Sequence, residues 1–343
     1  MKKTLGLFFI LSLALHLHAQ EKMTAQDSIK VFYGELFSAL KTGYLYKKSI
    51  DWKAVESETK QNLTRYSSFK NSLGEIKILF DQIGATHCGV YDQQNKYAAT
   101  TKPISKEDYS EQWGKKYGTK PGFEAKVLNG KYGYILMPAM LFFDTSPENI
   151  HKIAQPLYDQ IADIEAKHEI EGWIIDLRFN TGGNSTPMLL SLYDFLGDHE
   201  IWGSLNLHKK TENRFKLKKG KYTDYSKTVH YINPSGALLD TTKIALITGM
   251  FTASSGEVIA LAFKGRPSTI FIGESTYGAT TGNIFWPLPF GMTMALTTSY
   301  DSDRNGNYYE KIIPDIAVSK QDNFDDLLLD KKIQEAIKFI SVK

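Results

Sequence analysis

The chain has one cysteine, Cys88, so no disulfide can form within it, and its fold must rest on a buried core. No segment approaches the roughly 20 apolar residues needed to span a bilayer, so stable membrane insertion is not expected. Its histidines are scattered, with no pair four apart beside a carboxylate on a helix; this removes the common zinc pattern, and neither metal nor other cofactor is expected. Charge of one sign is scarce. A net charge of +3 with Lys and Arg interleaved among Asp and Glu leaves no nucleic-acid footprint. The densest basic run, Lys209-Lys210 with Lys216, Lys218, Lys219 and Lys221, lies in a polar stretch and reads as solvated surface. Internal repeats and low-complexity segments are lacking as well.

What remains, 343 residues of which 42% are hydrophobic and 23% charged, suits a globular protein of one large domain or two moderate ones. Lys2-Lys3 precede an apolar run from Leu5 to about Leu15 and a small residue, Ala19, so residues 1–19 read as a secretory signal peptide. The mature chain is expected to be exported, to the periplasm or the medium.

Residues 20–85 read as a small helical domain, because Ile29, Phe32, Tyr33, Leu36, Phe37 and Leu40 recur at spacings of three and four. Residues 86–128 read as a connecting β and loop segment, polar around Pro103, Gly118 and Pro121. At its start His87 stands between Thr86 and Cys88. A lone histidine is more often structural than catalytic, and a lone cysteine is usually a small buried filler.

An α/β core is expected over 129–320. Tyr132 to Met137 alternates like a strand, Ile150 to His168 carries a helical period, and Trp173 to Leu177 is a buried strand. That order describes βαβ units on a mostly parallel sheet. The loop Asn180-Thr181-Gly182-Gly183-Asn184 leaves the carboxyl end of such a strand, where α/β proteins hold their sites. After a polar excursion to about Leu238, a strand at Lys243 to Thr248 leads into Phe251-Thr252-Ala253-Ser254-Ser255-Gly256-Glu257 and then an apolar helix. A serine at such a turn meets the free N–H groups of a helix start, as a nucleophile with an oxyanion hole requires. Taken alone, the stretch is more commonly a plain helix cap, with Thr252, Ser254 and Ser255 serving only that end. Phe285 to Leu288 and Met292 to Thr297 read as a hairpin, and residues 321–343 as a terminal helix running from about Phe324 to Phe339.

Three motifs then carry a resemblance. Asp176-Leu177-Arg178-Phe179-Asn180-Thr181-Gly182-Gly183 resembles the D-L-R-x-N-x-G-G signature of the S41 serine peptidases, the C-terminal processing and tricorn core proteases. Thr252 to Glu257 is similar to that family's nucleophile segment, followed by Gly273-Glu274-Ser275-Thr276-Tyr277-Gly278, and Pro314-Asp315-Ile316 matches its closing P-D-I. The resemblance implies a ClpP/crotonase-like βαβ spiral core and a peptide or unfolded protein as substrate. It implies Ser254 as nucleophile, with oxyanion N–H groups from the Gly182-Gly183 turn and Ser255, and Asn283 as a substrate-positioning side chain. The lysine base of the processing proteases is replaced by Ala279. In the tricorn-like branch a histidine serves instead, which implies His87, with Glu310 or Asp303 as its orienting acid and Thr86 as a further hydroxyl. About forty residues separate His87 from the first core strand, too few for the PDZ domain usual in the processing branch. Two other readings stay open: a non-catalytic peptide- or ligand-binding protein on the same scaffold, and a thiol enzyme using Cys88.

Overall fold

A computed structural model describes residues 23–101, 104–223 and 228–342. The expected signal peptide and Pro103 lie outside them.

Four helices open the described chain: α1 (Ala25–Gly43), α2 (Trp52–Leu63), α3 (Phe69–Ser72) and α4 (Glu75–Gln82). Thr24, Asp51 and Ser68 cap the first three through side-chain oxygens that accept from backbone N–H groups near each helix start. The three-and-four spacing in α1 buries Ile29, Phe32, Leu36 and Leu40 in a cluster shared with Leu79 and Phe80. The hairpin β1 (Gly89–Tyr91) and β2 (Lys96–Ala98) follows, then α5 (Glu111–Gly118).

The next stretch supplies β3 (Glu124–Leu128), β4 (Tyr132–Leu136), α6 (Pro147–Lys167), β5 (Gly172–Asp176), α7 (Ser185–Ser191) and α8 (Tyr193–Leu196). The residues read as a polar excursion are four strands: β6 (Glu200–Leu205), β7 (Thr211–Lys218), β8 (Lys221–Thr223) and β9 (Val229–Tyr231). They are followed by β10 (Ile244–Thr248), α9 (Ser255–Phe263), β11 (Thr269–Gly273), the hairpin β12 (Thr281–Leu288) and β13 (Met292–Ser302), β14 (Ile316–Ala317) and α10 (Lys331–Ser341). The terminal helix thus starts later than its apolar residues suggest, at the N-cap Asp330, whose carboxylate accepts from Lys332 and Ile333.

Two sheets result. One has six strands in the order β14-β11-β10-β5-β4-β3, parallel throughout except for β3. It takes in β3, which lies before the expected start of the core at 129. Both its faces are covered, as a parallel sheet requires: Trp173, Ile175, Ile244 and Leu246 face α6 and α9, while Ile174, Ala245 and Ile247 face α5 and α10. This is the α/β class expected from the βαβ pattern. The second sheet has eight strands; β1, β6 and β12 all pair antiparallel with β13. Met294 and Leu296 of β13 and Leu288 of β12 close the core of the helical layer. A cleft of about 600 Å³ between α1 and α2, lined by Ile29, Tyr33, Phe37 and Leu63 among others, shares no residue with the site described next.

Candidate active site

Ser254 stands where β10 gives way to α9. The parallel partners β5 and β11 end at the same edge, so the loops after all three strands open together. Ser254 takes φ 53° and ψ −115°, a left-handed conformation that costs a residue with a Cβ strain energy and must be held by its surroundings. Thr252 holds it from the strand side, its Oγ1 donating to the Leu177 carbonyl and accepting the Gly249 N–H, both at 2.9 Å. Glu257 holds it from the helix side. Its Oε2 accepts the N–H groups of Ser254 (2.9 Å) and Ala279 (2.7 Å), and its Oε1 accepts from Thr276 Oγ1 (2.5 Å) and the Gly278 N–H (2.8 Å). Burial pushes the Glu257 carboxyl up, and these donors pull it back. Ser254 is also the N-cap of α9, in a capping box with Glu257, so the capping reading and the exposed-turn reading describe one geometry.

The Asn180–Asn184 turn lies against Ser254. A Cβ on Gly182 would stand 3.0 Å from Ser254 Cβ and 3.5 Å from its Oγ; one on Gly183 would stand 1.9 Å from the Met140 carbonyl oxygen. Both glycines have positive φ, 118° and 109°. The turn is stitched to α9 by the Ala253 N–H to Asn180 O (3.0 Å) and by Ser255 Oγ to Gly183 O (2.5 Å). The Gly182 N–H donates to Asn180 Oδ1 at 3.2 Å. The N–H groups of Gly183 and Ser255 have no acceptor among the described residues. Of the two expected glycine donors, Gly183 is therefore the one open to a ligand, and Gly182 contributes close approach.

His87 lies between α4 and β1, half-buried, with Nδ1 2.6 Å from Thr281 Oγ1. Burial, and secondarily the charge of Lys96, push its imidazole down to about 4. Only Thr280 separates Thr281 from Ala279, so the segment that carries the partner of His87 is bonded to Glu257 on the helix that begins after Ser254. Asn283 is engaged within the protein: its Nδ2 donates to the His87 carbonyl (3.0 Å) and its Oδ1 accepts from Thr297 Oγ1 (2.8 Å).

Neither expected acid is bonded to His87. The Asp303 oxygens close their own turn, accepting from the N–H groups of Asn305 and Asn307 at 2.8 Å, from Asn307 Nδ2 and from Tyr309 OH. Glu310 is exposed and offers its backbone carbonyl to Thr280 Oγ1 at 3.3 Å. Thr281 is the side chain bonded to the His87 ring, and no sequence signal marks it. Glu257 was within reach, since it falls three residues after Ser254, the capping-box spacing. Cys88 is buried; burial pushes its thiol up and outweighs the Thr297 bonds that pull it down, a net shift against the thiolate a thiol enzyme needs.

Within the Asp176–Gly183 motif, Asp176 and Arg178 are structural. The buried Arg178 guanidinium bonds Asp176 through Nε (3.0 Å) and Nη2 (2.6 Å), and Asp322 and Asp330 through Nη1 (2.6 Å each). Lys332 Nζ adds a bond to Asp322 at 2.7 Å. This cluster pins the segment before α10 to the end of β5, directly ahead of the Asn180 turn.

Among the described residues, no helix is long and apolar enough to cross a membrane. Residues 131–318 match the family model of Peptidase family S41. The chain is 30% identical over 152 residues to a nisin-resistance protein of Lactococcus lactis subsp. lactis, covering 44% of this chain and 47% of that protein. It is 25% identical over 174 residues to a carboxy-terminal-processing protease of Bartonella bacilliformis, covering 49% and 36%. The matches therefore span less than half the length of these curated relatives. A lipoprotein structure from Streptococcus agalactiae shares the fold with a TM-score of 0.65 at 22% identity, over 93% of this chain and 96% of that one. A structure from Parabacteroides merdae does so at 0.56 and 16%, over 94% and 98%. The family match takes in the Asn180 turn, Ser254 and the Thr276–Thr281 loop, and His87 lies ahead of it. With 131–318 matched, more than half of its length, this chain belongs to peptidase family S41.

Proposed function

We propose that the chain is an exported serine peptidase that hydrolyses peptide bonds through an acyl-enzyme on Ser254, with His87 as general base. One observation carries this reading: a strained serine at a strand-to-helix turn, packed on a glycine turn, with two N–H groups lacking acceptors beside it. His87 Nε2, left available by the Nδ1 bond to Thr281, takes the Ser254 hydroxyl proton as Oγ attacks the peptide carbonyl. The Gly183 and Ser255 N–H groups receive the developing oxyanion. The proton then passes from His87 to the leaving amine, and water activated by His87 releases the acyl group as a carboxylate. Thr281 fixes the imidazole without a negative charge, so the imidazolium gains less stabilisation than a carboxylate would give. Between β1 and β4 the described residues form only β2, α5 and β3, and we assign substrate selection to the cleft itself. Export rests on the Lys2 to Ala19 pattern, with the lipoprotein likeness in support.

Labelling with a fluorophosphonate probe tests the reading. The wild type should label, Ser254→Ala should not, and His87→Ala should label on the order of 10³-fold more slowly. Equal labelling of Ser254→Ala would remove the serine from its role, and a wild type inert to probe and peptides alike would favour the peptide-binding alternative.

A further inference from the structure

Among the described residues, Phe143 and Phe285 are large apolar side chains left 48% and 38% exposed, and they meet each other. The Phe143 ring centre lies 5.6 Å from that of Phe285 and 5.8 Å from that of Tyr91. Each ring belongs to a segment that builds the site. Tyr91 ends β1, just beyond His87. Phe143 closely follows Met140, whose N–H donates to Gly182 O (3.2 Å) and whose carbonyl accepts the Asn184 N–H (2.6 Å); the Phe142 N–H donates to Asn184 Oδ1 at 3.0 Å. Phe285 lies on β12, just past Asn283, which holds the His87 carbonyl. Single apolar side chains on a surface are ordinary, whereas two exposed rings in contact, with the half-buried Tyr91 ring beside one of them, mark a contact surface.

We propose that Tyr91, Phe143 and Phe285 form a subsite for one large apolar or aromatic side chain of the peptide substrate. An extended chain advances roughly 3.3–3.6 Å per residue. Phe143 and Phe285 stand three to four chain positions from Met140 and Thr281, the residues that touch the Gly182 turn and His87. The preferred side chain therefore falls roughly two to four residues from the scissile bond. Rings meeting at this spacing accept a further ring edge-on or offset, and the apolar area so covered is the source of selectivity. The position relative to the scissile bond rests on the peptidase reading; the preference itself does not.

The test uses fluorescein-labelled peptides of one Gly/Ser backbone in which a single Phe is walked along the chain, with an all-Gly/Ser control. Binding is followed by anisotropy on the Ser254→Ala protein, so hydrolysis plays no part. The best Phe peptide should bind about tenfold or more tightly than the control, and Phe143→Ser/Phe285→Ser in the same background should bring that ratio close to one. Both substitutions are at exposed positions, and a thermal melt confirms folding. An unchanged ratio in the double variant overturns the proposal, as does an absence of any Phe preference. Loss of self-association in the variant with no change in peptide preference would make the ridge an interface between copies and also overturn it. Fluorophosphonate labelling of the wild-type protein, which needs no peptide, tests the peptidase reading separately. If that probe fails on the wild type while the Phe preference persists, the peptidase reading falls and the subsite stands.

Discussion

His87 makes its polar contact through Nδ1, and the partner is a hydroxyl. Its proton affinity is low because burial, aided by the Lys96 charge, disfavours the imidazolium. A general base works in its neutral form, so kcat/KM should stay level across neutrality and fall only as pH drops through about 4. A rate profile from pH 3.5 to 8 checks this, and a fall near the ordinary histidine value of about 6.5 would mean that water reaches the ring. Thr281→Val removes the acceptor and should lower kcat by up to about 10²-fold with KM little changed, whereas Thr281→Ser should restore it. The serine and the glycine turn were legible in the sequence because each is a short contiguous pattern whose residue types the geometry demands. The His87–Thr281 bond was not, since it joins positions 194 residues apart and a threonine in a strand carries no mark of such a task. Asp303 and Glu310 are not bonded to His87 for a related reason: a carboxylate can satisfy a local turn or face solvent as readily as it can orient an imidazole.

The turn from β10 into α9 is held by one carboxylate. Glu257 accepts from four donors that belong to the Ser254 turn and the Thr276–Ala279 loop. Glu257→Ala leaves those donors buried without a partner and should destabilise the protein by about 3 kcal/mol or more, while Glu257→Gln, which keeps one acceptor oxygen, should cost less. Chemical denaturation measures the loss, and the probe-labelling rate should fall in the same order. Apolar runs and helical spacing identified β4, β5, β10 and α6 because both faces of the parallel sheet, or one stripe of the helix, are buried. The four strands β6 to β9 escaped notice for the opposite reason. In β7, Phe215 and Leu217 point inward while Arg214, Lys216 and Lys218 face outward, and that lysine density reads as loop when burial is unknown. The late start of α10 has a similar origin: Phe324 and Leu327 are partly buried beside it but lie outside it, Leu327 in a separate 3-10 turn, Leu327–Leu329.

Arg178 ties β5 to the segment before α10 through Asp176, Asp322 and Asp330. Burial raises the Asp322 carboxyl, but the Arg178 and Lys332 charges outweigh it and hold the group below the usual carboxylate range. The stability linked to Asp322 is therefore full above its unfolded value, about 3.9, and is lost as pH falls through the lower folded value. Asp330→Ala breaks the cluster and removes the cap of α10. It should destabilise the fold by about 3–5 kcal/mol in equilibrium unfolding at neutral pH, and a loss below 1 kcal/mol would show that the remaining carboxylates suffice. The residues proposed to act together also have different carriers. Ser254 and Gly183 ride on the six-stranded parallel sheet, whereas His87 and Thr281 border strands of the eight-stranded one. The proposed pairing of Ser254 with His87 therefore depends on how one sheet rests on the other. On heating, a slip between the sheets too small to break any ladder should silence the proposed activity reversibly some degrees before circular dichroism records melting.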